Sequence, residues 1–149
     1  MGDPPWRPDG DVLHFAVMRR LWPALLLLLA GCGPASDHRA AVRGRDTCNN
    51  LPVSHGVILF TPDAQRGNGA KTISSAKLSE DGRYELRRED GQALKPGWYR
   101  VTVARAPGAP SDGAKPAEKY RYPEQSGLQF EVGTKPEYEY DVPLDAADK

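Results

Sequence analysis

From Gly127 to Leu144 apolar and polar positions alternate. Leu128, Phe130 and Val132 stand against Gln129 and Glu131, then Tyr138, Tyr140, Val142 and Leu144 against Glu137, Glu139 and Asp141. A period of two sends successive side chains to opposite faces, so both runs predict half-buried antiparallel strands. Gly133-Thr134-Lys135-Pro136 between them reads as the turn of a hairpin. Pro143 lacks a ladder donor and marks a strand end or an edge. Upstream, Tyr99, Val101 and Val103 alternate with Arg100 and Thr102, and Tyr84 and Leu86 with Arg83, Glu85 and Arg87, which predicts two more strands. Val57-Ile58-Leu59-Phe60 is apolar on both faces, as in a central strand covered on each side. Val42 to Arg45 and Ile73 to Leu78 are weaker strand candidates and bring the count to about seven. Turn signals separate the strands at Asn49-Asn50, Thr61-Pro62-Asp63, Asp81-Gly82 and Pro96-Gly97. No segment carries a helical stripe. The pattern predicts an all-β chain folded as a single seven-stranded Greek-key β-sandwich.

One connection is long. Ala106 to Ser126 holds Pro107, Pro110, Pro116 and Pro123 with Gly108 and Gly113, so it is no regular element and must cross the surface or an end of the sandwich. Loops of this kind often carry function, and a featureless centre at Ala109 to Ala117 is the plainer expectation.

Three stretches resemble a known domain. Gly56-Val57-Ile58-Leu59-Phe60-Thr61-Pro62 matches a Gly-x-apolar-x-Phe-x-Pro strand, Asp81-Gly82-Arg83-Tyr84-Glu85-Leu86 an Asp-Gly-x-aromatic-x-Leu hairpin, and Pro96-Gly97-Trp98-Tyr99-Arg100-Val101-Thr102-Val103 a Pro-Gly-x-Tyr-x-Val-x-Val strand. In order and spacing they resemble the carboxypeptidase regulatory-like domain, a transthyretin-like (prealbumin-like) sandwich. Tyr120 to Leu128 also looks like the Tyr-x-x-Pro-x-x-Ser-x-Leu passage of small bacterial lipoproteins built on that domain. The resemblance covers residues 42–144 and places one domain at 40–145. It implies a non-catalytic module, since the regulatory-like domain accompanies a peptidase and does not itself cleave. The chain departs from the pattern in its first hairpin, where Asp46 takes a position usually apolar and Asn49-Asn50 replaces an Asp-Gly-like turn.

The N-terminal third reads differently. Arg19-Arg20 precedes the apolar run Leu21 to Ala30, which ends in small residues at Leu29-Ala30-Gly31-Cys32. That order of charge, grease and small residues is an export signal, and a run of about ten is too short for a hydrocarbon core that needs roughly twenty. The tetrapeptide resembles the bacterial lipobox, which implies cleavage after Gly31 and acylation of Cys32. An ordinary secretory signal, or a buried Leu-rich helix with a chance cysteine, is the alternative. Residues 1–17, with Asp3, Asp9 and Asp11 among prolines, fit no signal, so Met18 reads as the true start and 1–17 as a misassigned extension. Residues 18–31 are then the signal, and the small, polar stretch 32–39 is a tether. Gly33 is not the aspartate that commonly retains lipoproteins at an inner membrane, so an outer-membrane or cell-surface address is expected.

Charge excludes little else. Lys plus Arg equals Asp plus Glu at 20 each, so no nucleic-acid partner is indicated. If Cys32 is acylated, Cys48 has no intramolecular partner. It is then a harmless buried thiol, or a group available to an intermolecular bridge or ligand. Zinc hydrolysis needs histidine or carboxylate ligands at fixed spacing; His38 lies in the tether, His55 at a strand entry and His14 before the signal. Ser54 and His55, as neighbours in an extended chain, point to opposite faces and make no dyad. No enzyme activity, metal or cofactor is expected. A Lys-Asn isopeptide bond is not expected either, because Asn49, Asn50 and Asn68 all fall in turns.

Trp98 is the candidate ligand contact. With Tyr99, Val101 and Val103 turned to the core, it points outward, where it stacks on a sugar ring or anchors a partner, or else packs beneath the loop Ala106 to Ser126. The acidic positions Glu131, Glu137, Glu139 and Asp141 bind calcium, pair with Arg83, Arg87 or Arg100 across strands, or stay solvated. The expected role is that of a lipid-anchored module held to a membrane through Cys32. It binds a glycan or an envelope protein or, alternatively, serves as a structural subunit of an envelope complex.

Overall fold

The computed structural model describes residues 37–109 and 114–147, so Gly31, Cys32 and the proposed signal lie outside it. Among the described residues nine strands run β1 (Ala41–Cys48), β2 (Leu51–Pro52), β3 (Gly56–Pro62), β4 (Ser74–Lys77), β5 (Arg83–Leu86), β6 (Gly97–Arg105), β7 (Gln129–Val132), β8 (Glu137–Glu139) and β9 (Val142–Leu144). They form two sheets and an all-β sandwich. One sheet is ordered β4-β3-β6-β7 and wholly antiparallel; the other is built around β1. Antiparallel β5 and β2 lie along β1 on one side, and β8 and β9 run parallel to it on the other.

The sequence pattern undercounts the strands in two places. Asn49 and Asn50 both take positive φ, 51° and 65°, in a two-residue turn that adds the short β2. The run from Glu137 to Leu144 is split, because Tyr140 and Asp141 step out of the ladder between β8 and β9. The expected hairpin of Gly127 to Leu144 does not form. β7 pairs with β6 and β8 with β1, so Gly133 to Pro136 arches from one sheet to the other. The side-chain alternation is the same in a hairpin and in an arch, and only the partner differs. The Tyr138 hydroxyl holds the arch, accepting from the N–H of Gly133 at 2.7 Å and of Lys135 at 3.3 Å. The Asp81-Gly82 turn likewise carries the chain from β4 in one sheet to β5 in the other.

The inward faces meet around Phe60. The rings of Phe130, Tyr84, Tyr140 and Tyr99 surround it at centroid distances of 5.9, 6.1, 6.4 and 6.5 Å, inclined or edge-on. Val42, Ile58, Leu86, Val101, Val103, Val132 and Val142 complete the core. Central β3 buries Ile58 and Phe60 and leaves Val57 and Leu59 half-exposed, so only one of its faces is fully covered.

The long connection is anchored from Ala114 onward. Pro116 bridges Ala146, and the N–H groups of Ala117 and Ala147 donate to Asp145 and Lys115. The 3-10 turn Glu118–Arg121 buries Tyr120, whose hydroxyl donates to the Asp145 carboxylate at 2.9 Å and accepts from the Asp145 N–H at 3.2 Å. This segment closes the end of the sandwich where β6 finishes and β9 leaves, away from the start of β6.

Candidate functional site

Trp98 stands at the start of β6, and its main chain is tightly held. Its carbonyl accepts from the Asp63 N–H at 2.9 Å and from the side-chain amide of buried Asn68 at 2.8 Å. Gly97 makes this possible, because a Cβ there would lie 2.8 Å from the Asn68 amide, and its φ of 141° disfavours an L side chain. Asp63 caps the 3-10 turn Ala64–Arg66 through the Gln65 N–H and forms an ion pair with Arg100 at 3.2 Å. The turn therefore folds back over the outer face of β6.

What it delivers there is Arg66. The guanidinium sits over the Trp98 ring, 3.8 Å from the centroid, and donates to Gln129 at 2.9 Å. The ring is half-buried. Arg66, brought in by the turn before β4, thus covers one face of the Trp98 ring. Sequence reasoning missed Arg66, since nothing local to Ala64–Arg66 signals a strand more than thirty residues away.

A cavity of about 90 Å³ opens at the same end of the sandwich, lined by Arg39, Lys71, Lys95, Thr72, Ser74 and Tyr99 among others. Asp37 supplies its counter-charge, with Arg39 at 2.8 Å and Lys95 at 3.7 Å. These contacts hold the Asp37 carboxyl below its usual range, chiefly through the Arg39 hydrogen bond.

Inside the sandwich lies Asp46, which the sequence marks only as a departure from an apolar position. It is fully buried, and neither carboxyl oxygen has a hydrogen-bond partner among the described residues. Burial, with a smaller contribution from the charge of Asp141, pushes its pKa up to about 7. Burial and then Asp46 in turn push the Tyr84 and Tyr140 phenols upward, which places all three groups in one neighbourhood. The acid is stored in its neutral form at mildly acidic pH.

The acidic row Glu137, Glu139 and Asp141 does not pair with arginines as the sequence suggests. Arg100 goes to Asp63, Arg83 to Asp81 and Arg87 to Glu85, while Glu131 lies on β7 in the other sheet. Glu139 and Asp141 instead line a shallow groove of about 660 Å³ with Arg43, Arg45, Lys77 and Arg83. Among the described residues no group of three or more His, Cys, Asp or Glu is placed to hold a metal, and no helix is long and apolar enough to cross a membrane. Cys48 is a buried free thiol, its pKa raised by burial. His55 is exposed at the entry to β3 with φ of 55°.

The chain matches no protein-family model and no curated protein sequence. Among solved structures it is similar to a DUF3823 family protein from Parabacteroides merdae, with a TM-score of 0.43 and 14% identity over 73% of this chain and 46% of that one. A DUF3823 family protein from Bacteroides ovatus gives a TM-score of 0.41 and 20% identity over 71% of this chain and 45% of that one. The chain spans less than half the length of either.

Proposed function

We propose that this protein is a lipid-anchored, non-enzymatic envelope module whose sandwich is carboxypeptidase regulatory-like, of the transthyretin type with Greek-key connections, and binds a glycan or an envelope protein. The lipobox-like Leu29-Ala30-Gly31-Cys32 supports the anchor. The three motif stretches support the fold reading, since they supply β3, the turn into β5 and the first half of β6. The observation that carries the binding role is the Trp98–Arg66 pair. An aromatic ring fixed by its main chain, half open and backed by a cation, is a preorganised platform that loses little side-chain entropy on contact. Anchored at Cys32, it would work at an outer-membrane or cell-surface address.

The test joins a glycan array with an affinity pulldown of the membrane-anchored protein, comparing parent with Trp98→Ala. Loss of a glycan or protein ligand in the variant, with the fold retained, is the expected result. A blank array together with a stoichiometric protein partner retained by Trp98→Ala moves the assignment to an accessory subunit of an envelope complex, the reading that half-burial of the ring favours. The anchor is tested separately by fatty-acid labelling of parent and Cys32→Ser, and continued labelling of the variant refutes it.

A further inference from the structure

The chain enters the sandwich at one end. Ala40 exchanges two hydrogen bonds with Leu94, at 2.8 and 2.9 Å, and the Ala41 N–H donates to Pro136 at 2.9 Å. The entering segment is thus pinned between the loop before β6 and the arch from β7 to β8. The cavity lined by Arg39, Lys71 and Lys95 opens at this same end. Three cations face it, two of them paired with Asp37, and Tyr99, Thr72 and Ser74 contribute hydroxyl-bearing side chains. Lys71 makes no hydrogen bond or ion pair among the described residues. Two positions beyond it Ile73 is 51% exposed, one of three large apolar side chains so placed among the described residues.

We propose that this end of the sandwich lies on the membrane, with Arg39, Lys71 and Lys95 holding the phosphate of an anionic lipid headgroup and Ile73 entering the interface. The proposal rests on the Cys32 anchor, because a tether of a few residues leading to Asp37 presents this end, and not the end closed by Pro116 and Ala146, to the lipid surface. The chemistry agrees. Cations near an anionic surface contribute about 1 kcal/mol each, falling off within a Debye length, and lysine and arginine stems reach past apolar neighbours to the headgroup level. An exposed isoleucine beside them adds apolar burial, so the headgroup phosphate is not the sole contact. The sandwich is held in one orientation instead of swinging on its tether.

The test uses the full chain carrying Cys32→Ser, so that no acyl chain contributes and the apolar run at 21–30 is common to every sample. Cosedimentation is measured with phosphatidylethanolamine vesicles containing phosphatidylglycerol and with neutral phosphatidylcholine vesicles. Adding Lys71→Gln and Lys95→Gln weakens binding to the anionic vesicles by roughly fivefold per charge, and Ile73→Ser weakens it further. The same charge change at the opposite end, Lys115→Gln with Arg121→Gln, leaves it within twofold. Equal binding by the Lys71/Lys95 variant, an equal loss at the opposite end, or equal affinity for neutral vesicles overturns the proposal. So does saturation of the cavity by inorganic phosphate without any preference for anionic vesicles. Failure of the anchor is distinguishable: an unlabelled Cys32 in the parent beside cation-dependent vesicle binding refutes the anchor alone, and a labelled Cys32 beside cation-independent binding refutes the membrane face alone.

Discussion

The hydroxyl of Tyr84, on β5, donates a 2.6 Å hydrogen bond to the main-chain carbonyl of Tyr140, two strands away, where the chain leaves the ladder between β8 and β9. The path between them crosses β1 at Gly44, whose register partner is Tyr84 itself. A Cβ on Gly44 would fall 1.9 Å from that carbonyl oxygen. A missing side chain, a turned carbonyl and a buried phenol thus form one device. The neighbouring groups complete it, with the Tyr140 N–H donating to Arg43 and the Arg45 N–H to the Asp141 carboxylate, both at 2.9 Å. The interruption thus leaves the Tyr140 N–H and C=O and the Arg45 N–H each with a partner.

Tyr84→Phe keeps the ring against Phe60 and removes only the donor. The Tyr140 carbonyl is then left without its partner beneath a packed ring layer, which costs about 1 to 3 kcal/mol. Urea unfolding of parent and variant reads this directly, and an unchanged midpoint would show that water replaces the phenol without loss.

Gly44→Ala should be worse, because the obstacle is a backbone carbonyl and cannot rotate away as a side-chain tip would. Relief requires β8 and β9 to separate from β1, so a loss of about 3 kcal/mol or more is expected. Hydrogen exchange checks the location. The amides of Tyr140 and Val142 should lose protection before those of β3 and β6, and uniform loss would contradict this assignment.

What could be read in the sequence was the set of inward faces. Period-two alternation names Tyr84, Leu86, Tyr99, Val101, Val103 and Val132 as core, and all are buried. Strand partners were not legible, because alternation is satisfied equally by a hairpin and by an arch between sheets; Gly133 to Pro136 shows the difference. The place of Trp98 on the outer face followed from its neighbours, but its cover did not, since Arg66 arrives through the capping of Asp63 and the hydrogen bond from Asn68. The three cations at the entry come from segments far apart in sequence, with no local pattern to join them. Asp46 was visible as a misfit, yet its environment is assembled from β5 and the stretch between β8 and β9.

Arg66→Ala removes the cation over Trp98 and the bond to Gln129 while leaving the Trp98 main chain tied to Asp63 and Asn68. The stability loss should stay near 1 kcal/mol, the scale of an exposed cation–π contact. The larger change is in access. With Trp6 and Trp22 replaced by phenylalanine, acrylamide quenching reports Trp98 alone, and it should rise in the Arg66→Ala background. Unchanged quenching would mean that the guanidinium does not cover the ring in solution.

Asp46 makes the sandwich pH-dependent in a direction opposite to the usual acid denaturation. Its folded pKa of about 7 stands above the ordinary 3.8, so the folded chain holds this proton more tightly than the unfolded chain does. The stabilising contribution is complete below pH 3.8, falls as pH rises toward 7, and is absent above it. Across that window the fall is on the order of 4 kcal/mol, at about 1.4 kcal/mol per pH unit. The titratable groups facing it, the Asp141 carboxylate and the neutral Tyr84 and Tyr140 phenols, offer no cation to offset ionisation. Asp46→Asn cannot ionise, so the difference in unfolding free energy between variant and parent should shift in favour of the variant from pH 4.5 to pH 7.5, whatever its starting value. Contributions from carboxylates that do not interact with Asp46 cancel in that difference. A difference that stays flat across the range would place an unseen donor or cation against the Asp46 carboxyl, and a shift in favour of the parent would reverse the sign argued from its burial.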